Sequence, residues 1–318
     1  MEKAIFTVAF PLRTSTMKKN ATTPYNLESI TDLHRVLNLP APLHPLVSVI
    51  NLSNVPCIID ENLHSLMYNF YSVCTKRDFN GRMKYGQNYY DFDNGIMTFF
   101  APGQVVSTEG SNVSVSGIWL VFHPDFLRGY ALDKNIKESG YFSYATHEAL
   151  HLSEAEEAMV NGIMLAIEKE YLHPIDKFSQ DVMVSQIELL LNYCNRFYNR
   201  QFITRKQANN DLITKLEQLL NNNFNAENPG LPKVKDLAGQ LNVSPGYLSD
   251  MLRAHTGQNA QQHIHNKLID KAKEILSTTE LTVSEVAYRL GFEYPQSFSK
   301  LFKAKANVSP LEYRRLFN

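Results

Sequence analysis

Val283-Ser284-Glu285-Val286-Ala287-Tyr288-Arg289-Leu290-Gly291-Phe292 is the stretch whose reading decides the fold of the C-terminal third. Val283, Val286, Ala287 and Leu290 fall at i, i+3, i+4 and i+7, one face of a 3.6-residue period, so a short helix is expected. Thr282-x-x-Glu285 is a capping box that starts it, and Leu281 can staple to Val286 across the cap. Gly291 follows where the chain turns with a positive φ, which glycine adopts at no steric cost. Phe298, Leu301 and Phe302 then mark the inner side of a second helix. Ala287 stands where the two helices must cross closely, which demands a small side chain.

The same pattern lies 49 residues upstream. Val234, Leu237, Ala238 and Leu241 form the first face and Asn242-Val243-Ser244 the turn. Asn242 takes the place of Gly291 as the next most tolerant residue for a left-handed backbone. Ser244 is an N-cap with Pro245 at the first helical position, and Leu248 and Leu252 point inward. Between the repeats, residues 259–277 carry Ile264, Leu268, Ala272, Ile275 and Leu276 as one helical stripe. A helix of about 19 residues is roughly 28 Å long. That length holds two groove-entering helices near the roughly 34 Å of one DNA turn. Two helix-turn-helix units on one rod are therefore expected to meet consecutive major-groove segments.

This region resembles the AraC/XylS family of transcription regulators, over about residues 212–318. The likeness is densest in residues 283–292, then in Ser297-Phe298-Ser299-Lys300-Leu301-Phe302-Lys303, then in Val308-Ser309-Pro310-Leu311-Glu312-Tyr313-Arg314. Asn307 departs from the glycine usual in the family, but Asn also ends helices in a left-handed conformation. The resemblance implies base-reading positions at Gly246, Ser249, Asp250 and Arg253 in the first unit. In the second it implies Gln296, Ser299 and Lys300, with Pro295 starting the helix. Gly246 has no side chain to read with, whereas Asp250 can accept from a cytosine amino group, Gln296 can pair with adenine, and Lys300 with guanine or a phosphate. Lys303, Arg314 and Arg315 are expected on phosphates, where they position without reading sequence.

Residues 1–150 read as β-rich. Tyr89-Tyr90-Asp91-Phe92 and Ile96-Met97-Thr98-Phe99-Phe100 flank Asp93-Asn94-Gly95, a hairpin signal, and Gly117-Ile118-Trp119-Leu120-Val121-Phe122 is an apolar strand stopped by Pro124. A helix starts after Ser153, whose S-x-x-E pattern with Glu156 is a capping box, and Met159, Ile163 and Ile167 follow at four-residue spacing. Past Pro174, Ile187, Leu190, Leu191, Cys194 and Tyr198 form a second stripe. The expected fold class is α+β multidomain. It comprises a cupin-like β-barrel effector domain (1–150), dimerisation helices (151–200), a polar linker (201–211), and an all-α domain with two helix-turn-helix motifs joined by a long linker helix (212–318). The family resemblance implies double-stranded DNA, a second copy of the chain, RNA polymerase and a small-molecule effector as partners, and activation of transcription. Tyr85, Tyr89, Tyr90, Phe92 and Trp119 are the expected effector pocket, since aromatics dominate such sites; equally, they are barrel core.

Composition fits this division. The chain has 318 residues and a net charge of −1, but residues 211–318 carry +2 and the stretch from Arg289 onward carries +4. Cys57, Cys74 and Cys194 are far apart and odd in number, so neither a disulfide framework nor a zinc site built on cysteines is indicated. No apolar run reaches the ~18 residues of a membrane span, and no signal peptide opens the chain, so a cytoplasmic protein without cofactor is expected. One motif points elsewhere: His147-Glu148-Ala149-Leu150-His151 matches H-E-x-x-H of zinc hydrolases. That chemistry needs both histidines on one helix face, whereas the Ser153 capping box starts the helix after His151. A third ligand would have to be Glu170 or His173. A metal cupin would need histidines clustered on adjacent strands, and the β-region has His64 and His123, widely separated. The expectation is no catalytic residue and no metal.

Overall fold

In the computed structural model the described residues are 24–55, 65–76, 79–85, 88–92, 95–107, 116–145, 148–226 and 230–316, with backbone alone over 79–85, 88–92 and 206–208. The strands run β1 (Tyr25–Leu27), β2 (Val47–Asn51), β3 (Ser65–Tyr68), β4 (Tyr71–Lys76) and β5 (Phe79–Tyr85). They continue as β6 (Asn88–Phe92), β7 (Ile96–Phe100), β8 (Gln104–Ser107), β9 (Ile118–Phe122) and β10 (Leu150–His151). Two short helices, α1 (Ile30–Val36) and α2 (Leu132–Asn135), lie among them. The remaining helices follow in order: α3 (Glu154–Leu172), α4 (Ser179–Thr204), α5 (Lys206–Phe224), α6 (Val234–Gln240) and α7 (Pro245–Thr256). Last come α8 (Ala260–Thr278), α9 (Val283–Arg289), α10 (Pro295–Ala306) and α11 (Pro310–Arg314).

The central sheet is antiparallel in the order β10-β7-β4-β9-β2, and β1-β3-β8 forms a second sheet. Alternation explains how β9 serves both sides. Ile118, Leu120 and Phe122 enter one core with the helices, while Val121 and Trp119 enter another with α1 and the smaller sheet. A strand covered on both faces must be apolar throughout. Among the described residues the β-region is thus a five-stranded sheet facing a three-stranded one, with β5-β6 as a separate two-stranded sheet.

Three sequence expectations are corrected here. Among the described residues the strands flanking Asn94-Gly95 do not pair with each other as a hairpin would require: β6 pairs with β5, and β7 with β4 and β10. Gly95 instead lies against α3, where an added Cβ would meet the Glu157 carboxyl at 2.6 Å. In α3 the buried stripe is Val160, Met164, Ile167 and Tyr171, and Met159 is 43% exposed. Strict four-residue spacing drifts around a helix by about 40° per step, which carries Met159 out of the core. The linker expected at 201–211 is helix: α4 runs to Thr204 and α5 begins at Lys206, with one break at Arg205. Its polarity is satisfied inside. Buried Gln201 accepts from His151 N at 2.8 Å and donates to Ala149 O at 3.2 Å, and buried Asn209 donates to Phe202 O at 2.7 Å.

One apolar core runs from the central sheet through α3 and α4 into the C-terminal helices. Tyr198, Phe202 and Tyr247 carry it across as successive ring contacts. Cys74 and Cys194 are free and buried; Cys57 and His64 lie outside the described residues. No described helix is long and apolar enough to cross a membrane.

Candidate nucleic-acid interface

The first unit is α6 and α7, the second α9 and α10, and α8 packs against α7, α9, α10 and α11. The turns have the expected backbone: φ is +55° at Asn242 and +85° at Gly291. Ala238 and Ala287 are fully buried, so no larger side chain fits where the helices cross. Ser244 caps α7 by accepting from Tyr247 N at 3.1 Å, with Pro245 in the first turn. Thr282 and Glu285 form the reciprocal capping box of α9. Asn307 ends α10 at φ +61° and Ser309 with Glu312 caps α11. In α8 the N-cap is Asn259 with Gln262, and the stripe Ile264, Leu268, Ala272, Ile275 and Leu276 is buried as read.

In the second unit the outer face of α10 is open. Gln296, Lys300 and Lys303 are exposed and Ser299 is half-buried, while Phe298 and Phe302 anchor the opposite face. Arg315 is also exposed. Arg314 behaves differently: its half-buried guanidinium donates to Leu276 O at 3.3 Å and to Leu281 O, tying α11 to the end of α8. The phosphate role expected for Arg314 did not anticipate this strut. Sequence reasoning also passed over Tyr288 and Tyr294, which are 57% and 64% exposed beside the start of α10. Exposed aromatics in an otherwise helical polar face were the available signal.

In the first unit the outer face of α7 meets the N-terminal region. Asp250 accepts from Tyr144 Oη at 2.7 Å and pairs with Arg253 at 2.7 Å. A Cβ on Gly246 would lie 2.6 Å from Ser143 Oγ, and Ser249 is half-buried. Glu148 is buried, accepting from Ala145 N and from Ser244 N, both at 2.6 Å. Burial, then the Asp250 carboxylate, raises the Tyr144 hydroxyl well above the usual tyrosine range, so it stays protonated and donates.

The described residues of the H-E-x-x-H stretch lie outside any α-helix. His147 lies outside the described residues, Leu150–His151 is a strand, and α3 begins at Glu154. Burial, with Arg205 and Arg200 nearby, lowers the His151 ring to about 4. No group of three or more metal-ligating side chains occurs among the described residues. Of the expected effector residues, Tyr85, Tyr89, Tyr90 and Phe92 have side chains outside the described set. Trp119 is half-buried between the sheets, its Nε1 donating to Ser72 Oγ at 2.6 Å and its ring edge-on to Tyr68. A small, partly open pocket lies elsewhere, lined by Thr98, Phe99, Tyr141, Tyr144 and Tyr198 among others.

A family profile described as a helix-turn-helix domain matches residues 237–316, which span both units. The C-terminal region of this chain is an AraC-type helix-turn-helix domain. This domain is 30% identical to the C-terminal domain of AraT, a response regulator from Geobacillus stearothermophilus, covering 33% of this chain and 84% of that one with a TM-score of 0.30. The HTH-type transcriptional regulator YfiF of Bacillus subtilis is 29% identical over 152 residues, 48% of this chain and 45% of that protein. The HTH-type transcriptional activator RhaS of Salmonella newport is 34% identical over 79 residues, 25% of this chain and 28% of that protein. The chain thus spans less than half the length of these curated relatives.

Proposed function

We propose that the chain is a sequence-specific regulator of transcription that binds double-stranded DNA with both units of its AraC-type domain. The observation that carries this reading is the repeat of one geometry, α6-turn-α7 and α9-turn-α10, on the two ends of α8. With α8 about 28 Å long, the units suit consecutive major-groove segments of one duplex face. Gln296, Ser299 and Lys300 read bases from α10, and Lys303, Arg315 and the hydroxyls of Tyr288 and Tyr294 hold phosphates. In the first unit Ser249, Asp250 and Arg253 face the bases, with Gly246 allowing close approach.

The chain acts as a homodimer at promoters and there contacts RNA polymerase. An exposed apolar stripe, Phe178 at the N-cap of α4 with Val182 and Leu189 on that helix, supports the pairing, because such side chains at helical spacing seek a cover. Val182→Lys with Leu189→Lys is expected to shift the chain to monomer in sedimentation. A small organic effector enters the N-terminal domain and alters the DNA-binding half. The test of DNA reading is footprinting of bound genomic fragments. Lys300→Ala and Gln296→Ala are expected to weaken binding to the protected sequences by roughly 5- to 150-fold each, since a good base contact contributes about 1–3 kcal/mol. Unchanged affinity in both variants would refute the placement of α10.

A further inference from the structure

The two units differ in one respect that their shared geometry does not require: the outer face of α10 is open and that of α7 is covered. The cover comes from the 3-10 turn Gly140–Ser143 together with Tyr144 and Glu148. Three kinds of contact coincide there. Glu148 Oε1 accepts from Ser244 N at 2.6 Å, at the cap of α7, where unpaired backbone N–H groups and the helix dipole favour an anion. Tyr144 Oη donates to Asp250, a position assigned to base contact. Ser143 and the Tyr144 ring lie against Gly246, and the same ring packs edge-on to Tyr247 at 5.5 Å. A methyl added to Gly140 would collide with the Asp250 carboxylate, so that side chain lies directly against the turn.

We propose that residues 140–145, together with Glu148, form a clasp in which Glu148 takes the place of a DNA phosphate at the start of α7 and Tyr144 blocks its base-reading face. The clasp and a duplex exclude each other. A major groove admits a helix only when its outer face is free, and here Gly246 and Asp250 are occupied from within the chain. The structure is therefore a closed form in which only the second unit is ready for DNA, and full engagement requires α7 to part from residues 140–145 and Glu148. The anion and the aromatic hydroxyl contribute separately, so each can be removed alone. This account assigns a purpose to Glu148, the acidic residue of the H-E-x-x-H stretch, which otherwise sits buried without a reason. It rests on the DNA-binding reading above.

The test uses the full chain and sheared genomic duplex as the probe, at fixed salt. Tyr144→Phe and Glu148→Gln are expected to bind it more tightly than the unaltered chain, by roughly 3- to 10-fold each, because a closed state lowers apparent affinity by its population. Gain of binding cannot arise from misfolding, which lowers affinity instead. A second variant locks the clasp: Ser143→Cys with Gly246→Cys places two thiols where Cβ and Oγ are already 2.6 Å apart, within reach of a disulfide. That bond is expected to form under mild oxidation, to weaken duplex binding at least tenfold, and to be reversed by reductant. Failure of the bond to form, or full affinity once it has formed, overturns the clasp. Wild-type affinity in both single variants does the same. If no form of the chain, reduced or oxidised, retains duplex, while the disulfide forms as expected, the DNA-binding reading fails and takes the gating role with it, though the contact itself stands.

Discussion

The Arg314 guanidinium bonds to carbonyl oxygens at the end of α8 and in the segment before α9, so its loss is felt by the fold before it is felt by DNA. Arg314→Ala leaves carbonyls short of a charged donor and is expected to cost about 1–3 kcal/mol, read as a lower urea midpoint. Lys303→Ala, exposed on α10, should leave that midpoint unchanged and reduce the slope of log affinity against log salt by about 0.9. His151 makes a separate prediction. Burial holds its ring near 4, below the value in the unfolded chain, so the unfolded chain binds more protons between those values. The stability it protects is complete above about 6.5 and is lost as pH falls from there toward 4. Melting temperature should drop across that window, and His151→Asn should flatten the decline. A chain whose melting profile is identical with and without His151 would contradict the burial argument.

At the scale of elements, caps and turns carry the helix-turn-helix geometry. Thr282→Ala removes the α9 cap and is expected to cost about 1 kcal/mol. Ala287→Leu overpacks the fully buried crossing of α9 and α10 and is expected to cost about 1–3 kcal/mol, both measured by urea unfolding. These elements were legible because their signals are local: Ser244, Thr282, Asn242 and Gly291 each fix a backbone step by their own chemistry. The β-region was less legible. Asn94-Gly95 is a turn signal, but strand partners are chosen by distant residues, and β7 found β4 and β10 instead. Residues 201–211 looked like a linker because Gln and Asn are polar, and sequence alone does not show that Gln201 and Asn209 meet buried carbonyls. The covered face of α7 was illegible for the same reason. Tyr144 and Asp250 are 106 residues apart, and no periodicity links them.

For the whole molecule, the continuous core from the central sheet to α7 ties the N-terminal half to the first unit, while the second unit presents its reading face outward. Under the proposed function, a change in the N-terminal half is therefore expected to reach DNA through α7 rather than through α10. The claim on which the rest stands is that both units insert into one duplex, held in phase by α8. Selection of bound duplexes from a random pool by the full chain tests it most directly. Two enriched sequence blocks are expected, their centres about 10 base pairs apart. Enrichment of a single block, of two blocks at no fixed spacing, or of nothing above the starting pool would contradict it.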